Sequence, residues 1–338
     1  MKCSRPLPDG KAECLLCPHL CKLKEGQTGI CGARINNSGE IKLLTWGALS
    51  AMALDPVEKK PLYHFYPGHN ILSVGSWGCN MRCDFCQNYH ISQASRENKI
   101  EITSPAFVTG EAKKSPRNIG IAFTYNEPSI WFEYVMDTAI LAKEENLQTV
   151  FVTNGFMTSD AADEYLKVID AFNVDLKAFD NDFYRKLTGA GLKPVLETLV
   201  KIRKSGRHLE ITTLVIPGKN DMAGQMEEEV KWIASELGKD TPLHLSRYFP
   251  MYKRDDPATP ENKLVELHEI ARSHLNYVYL GNINTLKGQD TFCPGCGSII
   301  TKRRGYQVSS TGTSDGSCLK CGRTIYTDFT FSSSRKQR

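Results

Sequence analysis

The chain has 338 residues, of which 41% are hydrophobic and 24% charged, values that supply a sizeable core and leave little room for extensive disorder. Its 42 basic and 38 acidic residues give a formal charge of +4, partly from the tail Arg335, Lys336 and Arg338, so no charge excess argues for nucleic acid. No apolar run approaches the roughly 18 residues of a membrane span, and the first residues carry charge, proline and Cys3, Cys14, Cys17 and Cys21 where a signal peptide would be apolar. The expectation is a folded cytoplasmic protein that does not enter the membrane.

All but Cys3 of the 12 cysteines fall into three tight sets. Without an export signal, thiols spaced two or three residues apart are more often metal ligands than disulfide partners. Residues 1–62 hold Cys14, Cys17, Cys21 and Cys31 in a stretch rich in turn formers, which predicts a small lobe organised by metal. These four fit zinc or a second iron–sulfur cluster, with zinc preferred because nothing in the spacing demands redox chemistry; free thiols are the remaining reading.

Residues 63–286 alternate short β-branched runs with longer amphipathic ones. Strands are expected over 71–76, 120–124, 149–153, 174–177, 209–216, 243–248 and 277–280. Helices are expected over 130–145, 161–171, 194–205, 226–237 and 263–274. Strict alternation predicts an α/β fold with a parallel sheet. Residues capable of chemistry follow several different strands: Cys79, Asn126 with Glu127, Asn154, Lys177, Pro217 with Gly218, and Arg247. That distribution is the habit of a barrel rather than of an open sheet with one switch point, so a full or partial (β/α) barrel is expected.

After the first strand the sequence reads Gly78-Cys79-Asn80-Met81-Arg82-Cys83-Asp84-Phe85-Cys86. Three thiolates can hold three irons of a 4Fe-4S cube and leave the fourth open to an outside ligand. A structural zinc site would need a fourth ligand, which His90 could supply. Glu127 can accept hydrogen bonds from an amine or ammonium group, or can favour the dipole of a helix started by Pro128. Lys177 suits a carboxylate as a point charge, or is a surface residue paired with Asp180. His64, His90 and His244 read as satisfied polar residues.

Residues 287–331 open with Cys293-Pro-Gly-Cys296 and close with Cys318-Leu-Lys-Cys321. Paired CxxC units predict a tetrahedral zinc site in a ribbon-like lobe, against a further iron–sulfur cluster. The tail 332–338 is expected to fray.

The CxxxCxxC spacing with Phe85 before the third cysteine resembles the signature of the radical S-adenosylmethionine (SAM) superfamily. Phe123-Thr-Tyr-Asn-Glu-Pro128, Val152-Thr-Asn-Gly155, Asp175-Leu-Lys177, Leu187-Thr-Gly189, Val215-Ile-Pro-Gly218 and the stretch from Asp55 to Phe65 are similar to the pyruvate formate-lyase and other glycyl-radical-enzyme activating enzymes. The flanking cysteine sets and Arg247-Tyr-Phe-Pro250 resemble the radical SAM enzyme of the AmmeMemoRadiSam system. The resemblance spans most of residues 14–322. It implies a partial (β/α) TIM-like barrel with Cys79, Cys83 and Cys86 as catalytic ligands of a 4Fe-4S cluster, and SAM held by Asn126, Glu127, Asn154, Lys177 and Arg247. The implied reaction is reductive cleavage of SAM to a 5'-deoxyadenosyl radical that abstracts hydrogen from a protein substrate. Implied partners are an electron donor such as flavodoxin or ferredoxin and the Memo-like and AMMECR-like proteins. The sequence departs from the family at Tyr125-Asn126, where two glycines often sit. Arg247 could instead make an internal salt bridge. Two rival readings are a radical SAM enzyme acting on a small molecule or peptide, and a non-catalytic zinc protein that binds a partner or nucleic acid.

Overall fold

The computed structural model describes residues 3–93 and 101–330; the tail 332–338 lies outside the described residues. The N-terminal lobe contains the antiparallel strands β1 (Ser4–Pro6), β2 (Ala12–Cys14) and β3 (Lys22–Leu23), followed by the hairpin β4 (Arg34–Asn37) and β5 (Glu40–Leu43). The central sheet has eight strands. Its antiparallel edge is β6 (Ala51–Pro56). The others run parallel in sequence order: β7 (Asn70–Gly75), β8 (Asn118–Phe123), β9 (Gln148–Thr153), β10 (Ala171–Asp175), β11 (His208–Val215), β12 (Leu243–Arg247) and β13 (Val278–Gly281). Among the described residues the ladder runs from β6 to β13 without a pairing that would join its two ends, so the barrel is partial.

Helices α1 (Tyr89–Ser92), α2 (Pro105–Lys114), α3 (Phe132–Glu144), α4 (Ser159–Val168), α5 (Asn181–Phe183), α6 (Leu192–Lys204), α7 (Ala223–Trp232) and α8 (Glu261–Arg272) lie between the parallel strands. The strands are near-continuous apolar runs, as expected of a sheet covered on both faces; every residue of β8 is buried. On α6, Val195, Thr198, Leu199 and Ile202 are buried at the spacing of one helix face. Helix α2 is absent from the sequence reading because only Pro105, Val108, Thr109 and Ala112 are buried, a narrow stripe; Ser104 caps it by accepting the Phe107 amide at 3.2 Å. Helix α4 ends at Val168, short of the expected residue 171, because Ala171 opens β10 against β9 and β11.

The inner face of the sheet wraps around Val57, Leu62, Phe65 and Tyr66, which pack with Ile71, Ile119, Ala122, Val150 and Ala171. Residues 51–62, read from composition as the end of the N-terminal lobe, thus supply the sheet edge and, with Phe65 and Tyr66, the barrel's plug. The C-terminal lobe consists of β14 (Thr291–Phe292), β15 (Ile299–Arg304) and β16 (Gln307–Ser309), and Ile300, Ile325 and Tyr326 pack on Tyr63, Tyr277 and Tyr279. Among the described residues no helix is long and apolar enough to cross a membrane.

Between sheet and helices, Glu229 of α7 is buried with the Thr213 hydroxyl 2.6 Å away, and that hydroxyl also stands 2.9 Å from the Leu176 carbonyl. One hydroxyl proton cannot serve two acceptors, so a protonated Glu229 donating to Thr213, which donates to Leu176, satisfies all three groups. Burial pushes the Glu229 carboxyl up to about 7, with Thr213 pulling the other way. A folded-state pKa above the unfolded one gives stability that is complete at pH below about 4.5 and lost as pH rises towards 7. Glu229→Gln is therefore expected to be near neutral at pH 5 and stabilising by about 2 kcal/mol at pH 8, read as urea midpoints at the two pH values. An equal effect at both contradicts the assignment.

Candidate functional site

Strand β7 runs out at Gly75, and the loop that follows presents Cys79, Cys83 and Cys86 at the carboxyl end of the sheet. The loop's path is imposed from outside. Gly78 has φ of +85°, and a Cβ there would stand 2.2 Å from the Cys31 carbonyl oxygen, so only glycine fits. The Cys79 amide donates to that same carbonyl at 3.2 Å. The amides of Arg82 and Asp84 donate to Thr188 (2.7 Å) and Leu187 (3.1 Å), and the Lys253 amide donates to the Asp84 carbonyl (3.0 Å). The Arg254 guanidinium adds a 2.9 Å bond to the Asp84 carboxylate. Neighbouring segments thus hold the loop through its backbone groups and the Asp84 carboxylate rather than through its thiols.

Two of the sulfurs have donors aimed at them. The Met81 amide lies 3.3 Å and the Asn154 side-chain amide 3.7 Å from Cys79 Sγ, and the Ser92 hydroxyl lies 3.1 Å from Cys86 Sγ. Burial raises the Cys79 thiol well above its ordinary value and pushes Cys83 up to about 12, Lys177 pulling Cys83 the other way. Buried thiols of this kind ionise when a cation compensates them, and donors on the sulfurs steady the thiolate. The donor set fits a metal cluster. His90, the weighed fourth ligand, is exposed on α1.

The strand ends around the loop carry the other expected residues. Tyr125 adopts the left-handed conformation with φ of +71°, a strain of about 1–3 kcal/mol for such a residue. Its hydroxyl donates to Asp55 at 2.7 Å, the Lys60 ammonium lies over its ring at 4.6 Å, and Asn88 donates to its carbonyl at 2.7 Å. Burial alone would raise Asp55, but Lys59, Lys60 and Tyr125 hold it well below the usual carboxylate range. Asn126 accepts the Ser76 amide at 3.0 Å and donates to the Gly78 carbonyl at 2.9 Å, which ties the second strand end to the thiol loop.

Glu127 is buried, and both its oxygens are engaged within the protein: one accepts the Ser129 amide (3.0 Å) and the Thr153 hydroxyl (2.6 Å), the other the Asn154 amide (2.8 Å). It fastens the ends of β8 and β9 together. Asn154 donates to Asn80 Oδ1 at 2.8 Å as well as facing Cys79. Lys177 pairs with Asp175 at 3.0 Å rather than with Asp180, which caps α5. Burial opposes its charge, but Asp175 and the Cys83 thiol hold the ammonium well above its ordinary range. Arg247 donates to the Thr259 carbonyl (2.8 Å) and pairs with Glu261 (3.0 Å), with its guanidinium over Phe249. An ion pair of the kind weighed from sequence is therefore present, with a half-exposed partner. Gly218 sits in a turn at φ of +67°, its amide donating to Asp221. His64 and His244 are satisfied in the core by Tyr279 and Glu210.

Tyr125 with its Asp55–Lys60 support, Ser92, and the Asp84–Arg254 pair carried no role in the sequence reading. The run Asp55-Pro-Val-Glu-Lys-Lys was visible there as a motif, and its lysines could have been matched to a carboxylate partner. Apart from Cys3, the remaining thiols form two groups. Cys293, Cys296, Cys318 and Cys321 bring their Sγ atoms all within 4.8 Å of one another, a group able to hold a metal ion. Cys14, Cys17, Cys21 and Cys31 gather in the N-terminal lobe beside the thiol loop.

A family model described as the Radical SAM superfamily matches residues 75–232. An uncharacterised protein of Methanocaldococcus jannaschii is 37% identical over 331 residues, covering 94% of this chain and 96% of that protein. The pyruvate formate-lyase 1-activating enzyme of Escherichia coli is 27% identical over 148 residues, 43% of this chain and 60% of that enzyme. Among solved structures, a radical SAM methyltransferase from Sphaerobacter thermophilus is similar with a TM-score of 0.51 at 15% identity, covering 64% of this chain and 67% of that one, a likeness of fold.

Proposed function

The chain belongs to the radical SAM superfamily, and from that premise we propose that it is an activating-type enzyme that draws a hydrogen atom from a polypeptide substrate. The family implies a 4Fe-4S cluster and SAM. In this reading Cys79, Cys83 and Cys86 are the cluster's protein ligands, and three thiolates leave one iron free for SAM. The chemistry that such a cluster supplies when bound is one-electron reduction of the sulfonium, giving methionine and a 5'-deoxyadenosyl radical. A flavodoxin or ferredoxin would be the external electron donor.

The observation that carries the reading is the convergence of the loop thiols with Asn126, Asn154 and Lys177 from three successive strand ends. Lys177 keeps a positive charge near Cys83, suited to the carboxylate of a methionine moiety. Asn154 steadies the Cys79 sulfur. Glu127, with both oxygens engaged, acts by positioning Asn154 rather than by meeting a ligand itself. The polypeptide substrate is inferred from the activating-enzyme relative.

For the C-terminal tetrad the reading is zinc. Its Sγ pairs Cys293–Cys321 and Cys296–Cys318 stand 3.5 and 3.6 Å apart, near the edge of about 3.8 Å of a tetrahedron with bonds of about 2.3 Å. A cytoplasmic setting belongs to the same reading, because free thiol tetrads survive where thiols stay reduced.

The test is anaerobic reconstitution with iron and sulfide, reduction with dithionite in the presence of SAM, and chromatography for 5'-deoxyadenosine. Formation of the nucleoside is expected. A fully loaded protein that binds SAM and yields none refutes the proposal.

A further inference from the structure

Cys14, Cys17, Cys21 and Cys31 lie in a lobe whose strands are two to four residues long and whose buried apolar residues are few, chiefly Ala12, Leu16, Leu23, Ala33 and Ile41. A segment this small ordinarily needs a metal or a cross-link to hold its shape, and its cysteines are free thiols. The thiols nonetheless converge. The Cys14 amide donates to the Cys21 carbonyl at 2.9 Å, and Cys17 lies within electrostatic reach of the other three. Gly29 stands between two of them, with its Cβ position 3.7 Å from Cys21 Sγ and 3.8 Å from Cys31 Sγ. Gly295 has the same relation to Cys321 and Cys293 in the C-terminal tetrad.

The two tetrads differ in spread. The C-terminal sulfurs all fall within 4.8 Å of one another, and among the described residues theirs is the group that does so. The N-terminal sulfurs do not form a group of that tightness. One zinc ion draws four thiolates onto one centre, whereas a cubane ligates them at separate irons and holds them further apart. The N-terminal tetrad is also joined directly to the catalytic loop. Besides the Cys31 carbonyl that receives the Cys79 amide, Arg82 donates to the Ile30 carbonyl, and His19 Nε2 meets the Asn80 carbonyl at 2.8 Å.

We propose that Cys14, Cys17, Cys21 and Cys31 bind a second iron–sulfur cluster, one peptide hydrogen bond away from Cys79. This replaces the zinc preferred on spacing alone. Four thiolates close all four corners, so the site has no place for SAM and serves as an electron carrier. One electron from an external low-potential reductant, dithionite in vitro, enters and leaves through the Cys31 carbonyl and Cys79 amide, with no bond or proton exchanged. The carrier role rests on the radical SAM reading; the cluster assignment does not.

The test uses the full chain with Cys79, Cys83 and Cys86 all changed to Ala, reconstituted anaerobically with iron and sulfide. The expected result is about four iron and four sulfide per chain, with a Mössbauer spectrum of all-thiolate iron, and about twice that loading in the wild type. Adding Cys17→Ala and Cys31→Ala should lower the iron to background. A triple variant that folds by circular dichroism but holds no iron, or that holds two zinc ions, overturns the assignment. With both sites reduced, the wild-type electron paramagnetic resonance signal should be broadened by spin coupling relative to the summed single-cluster variants; a purely additive spectrum overturns the adjacency. Two loaded clusters without 5'-deoxyadenosine would sink the radical SAM reading alone.

Discussion

Cys83→Ala is expected to abolish 5'-deoxyadenosine formation while leaving the C-terminal tetrad's metal in place. Cys83 is the buried middle thiol of the loop, and on the proposed reading two ligands would be left to hold a cube meant for three. The loop itself should keep its course, because the bonds that shape it are made by the backbones of Cys79, Arg82 and Asp84. Loss of one sulfur atom is a small packing change, on the order of 1 kcal/mol. Chromatography under reducing conditions should therefore give the enzyme-free blank, while zinc content and urea midpoint stay near wild type. Cleavage at more than about a tenth of the wild-type rate would remove Cys83 from the ligand set, as a variant energy of less than about 1.4 kcal/mol is too little for a lost cluster ligand.

What the sequence exposed here was local and periodic, and what it hid was carried by distant partners. The seven parallel strands were expected close to where they lie because each is a short apolar run flanked by an amphipathic one, and CxxC and CxxxCxxC spacings need no tertiary context. Strand β6 and the plug behind it were not separable from the N-terminal lobe, since β6 carries no distinct periodic signal and the plug's partner Glu210 lies far along the chain. The partners of Glu127 were not legible because Thr153 and Asn154, whose groups it accepts, are a whole helix away. Tyr125 has the same lesson in reverse. A tyrosine gives no hint of positive φ, and only Asp55, Lys60 and Asn88 in place around it account for the conformation.

The largest loss of stability is expected from Glu210→Ala. Glu210 is fully buried near the start of β11, at the end of the barrel opposite the thiol loop. It accepts the amides of Tyr63 (3.0 Å) and His64 (2.7 Å) and the imidazoles of His208 (3.0 Å) and His244 (2.7 Å). Burial alone would raise its carboxyl, but His208 and His244 hold it well below the usual range. On the other side of the same plug, Arg303 donates to the Tyr63 carbonyl at 2.7 Å and lies over the Tyr63 ring at 4.3 Å. The peptide of residues 63–64 is thus clamped between a barrel carboxylate and a guanidinium of the C-terminal lobe. Alanine leaves two amides and two imidazoles without an acceptor and Arg303 with less opposing charge, a change that costs about 3–5 kcal/mol when a buried ionic partner is removed. Urea unfolding should show that loss, and limited proteolysis should cut the C-terminal lobe sooner. The pH dependence follows from the same groups. Burial holds the His64 imidazole neutral, down to about 3, so its share of stability is full above about 6.5 and is lost as pH falls below that; the share of Glu210 is full above about 4.5 and is lost below it. Wild type should therefore weaken in two steps on acidification, and Glu210→Ala should show a smaller lower step, the rest of which belongs to carboxylates such as Asp55 that are also held below their usual range. A cost below about 1 kcal/mol, or an unchanged lower step, would mean that the plug is held by its apolar contacts and not by this clamp.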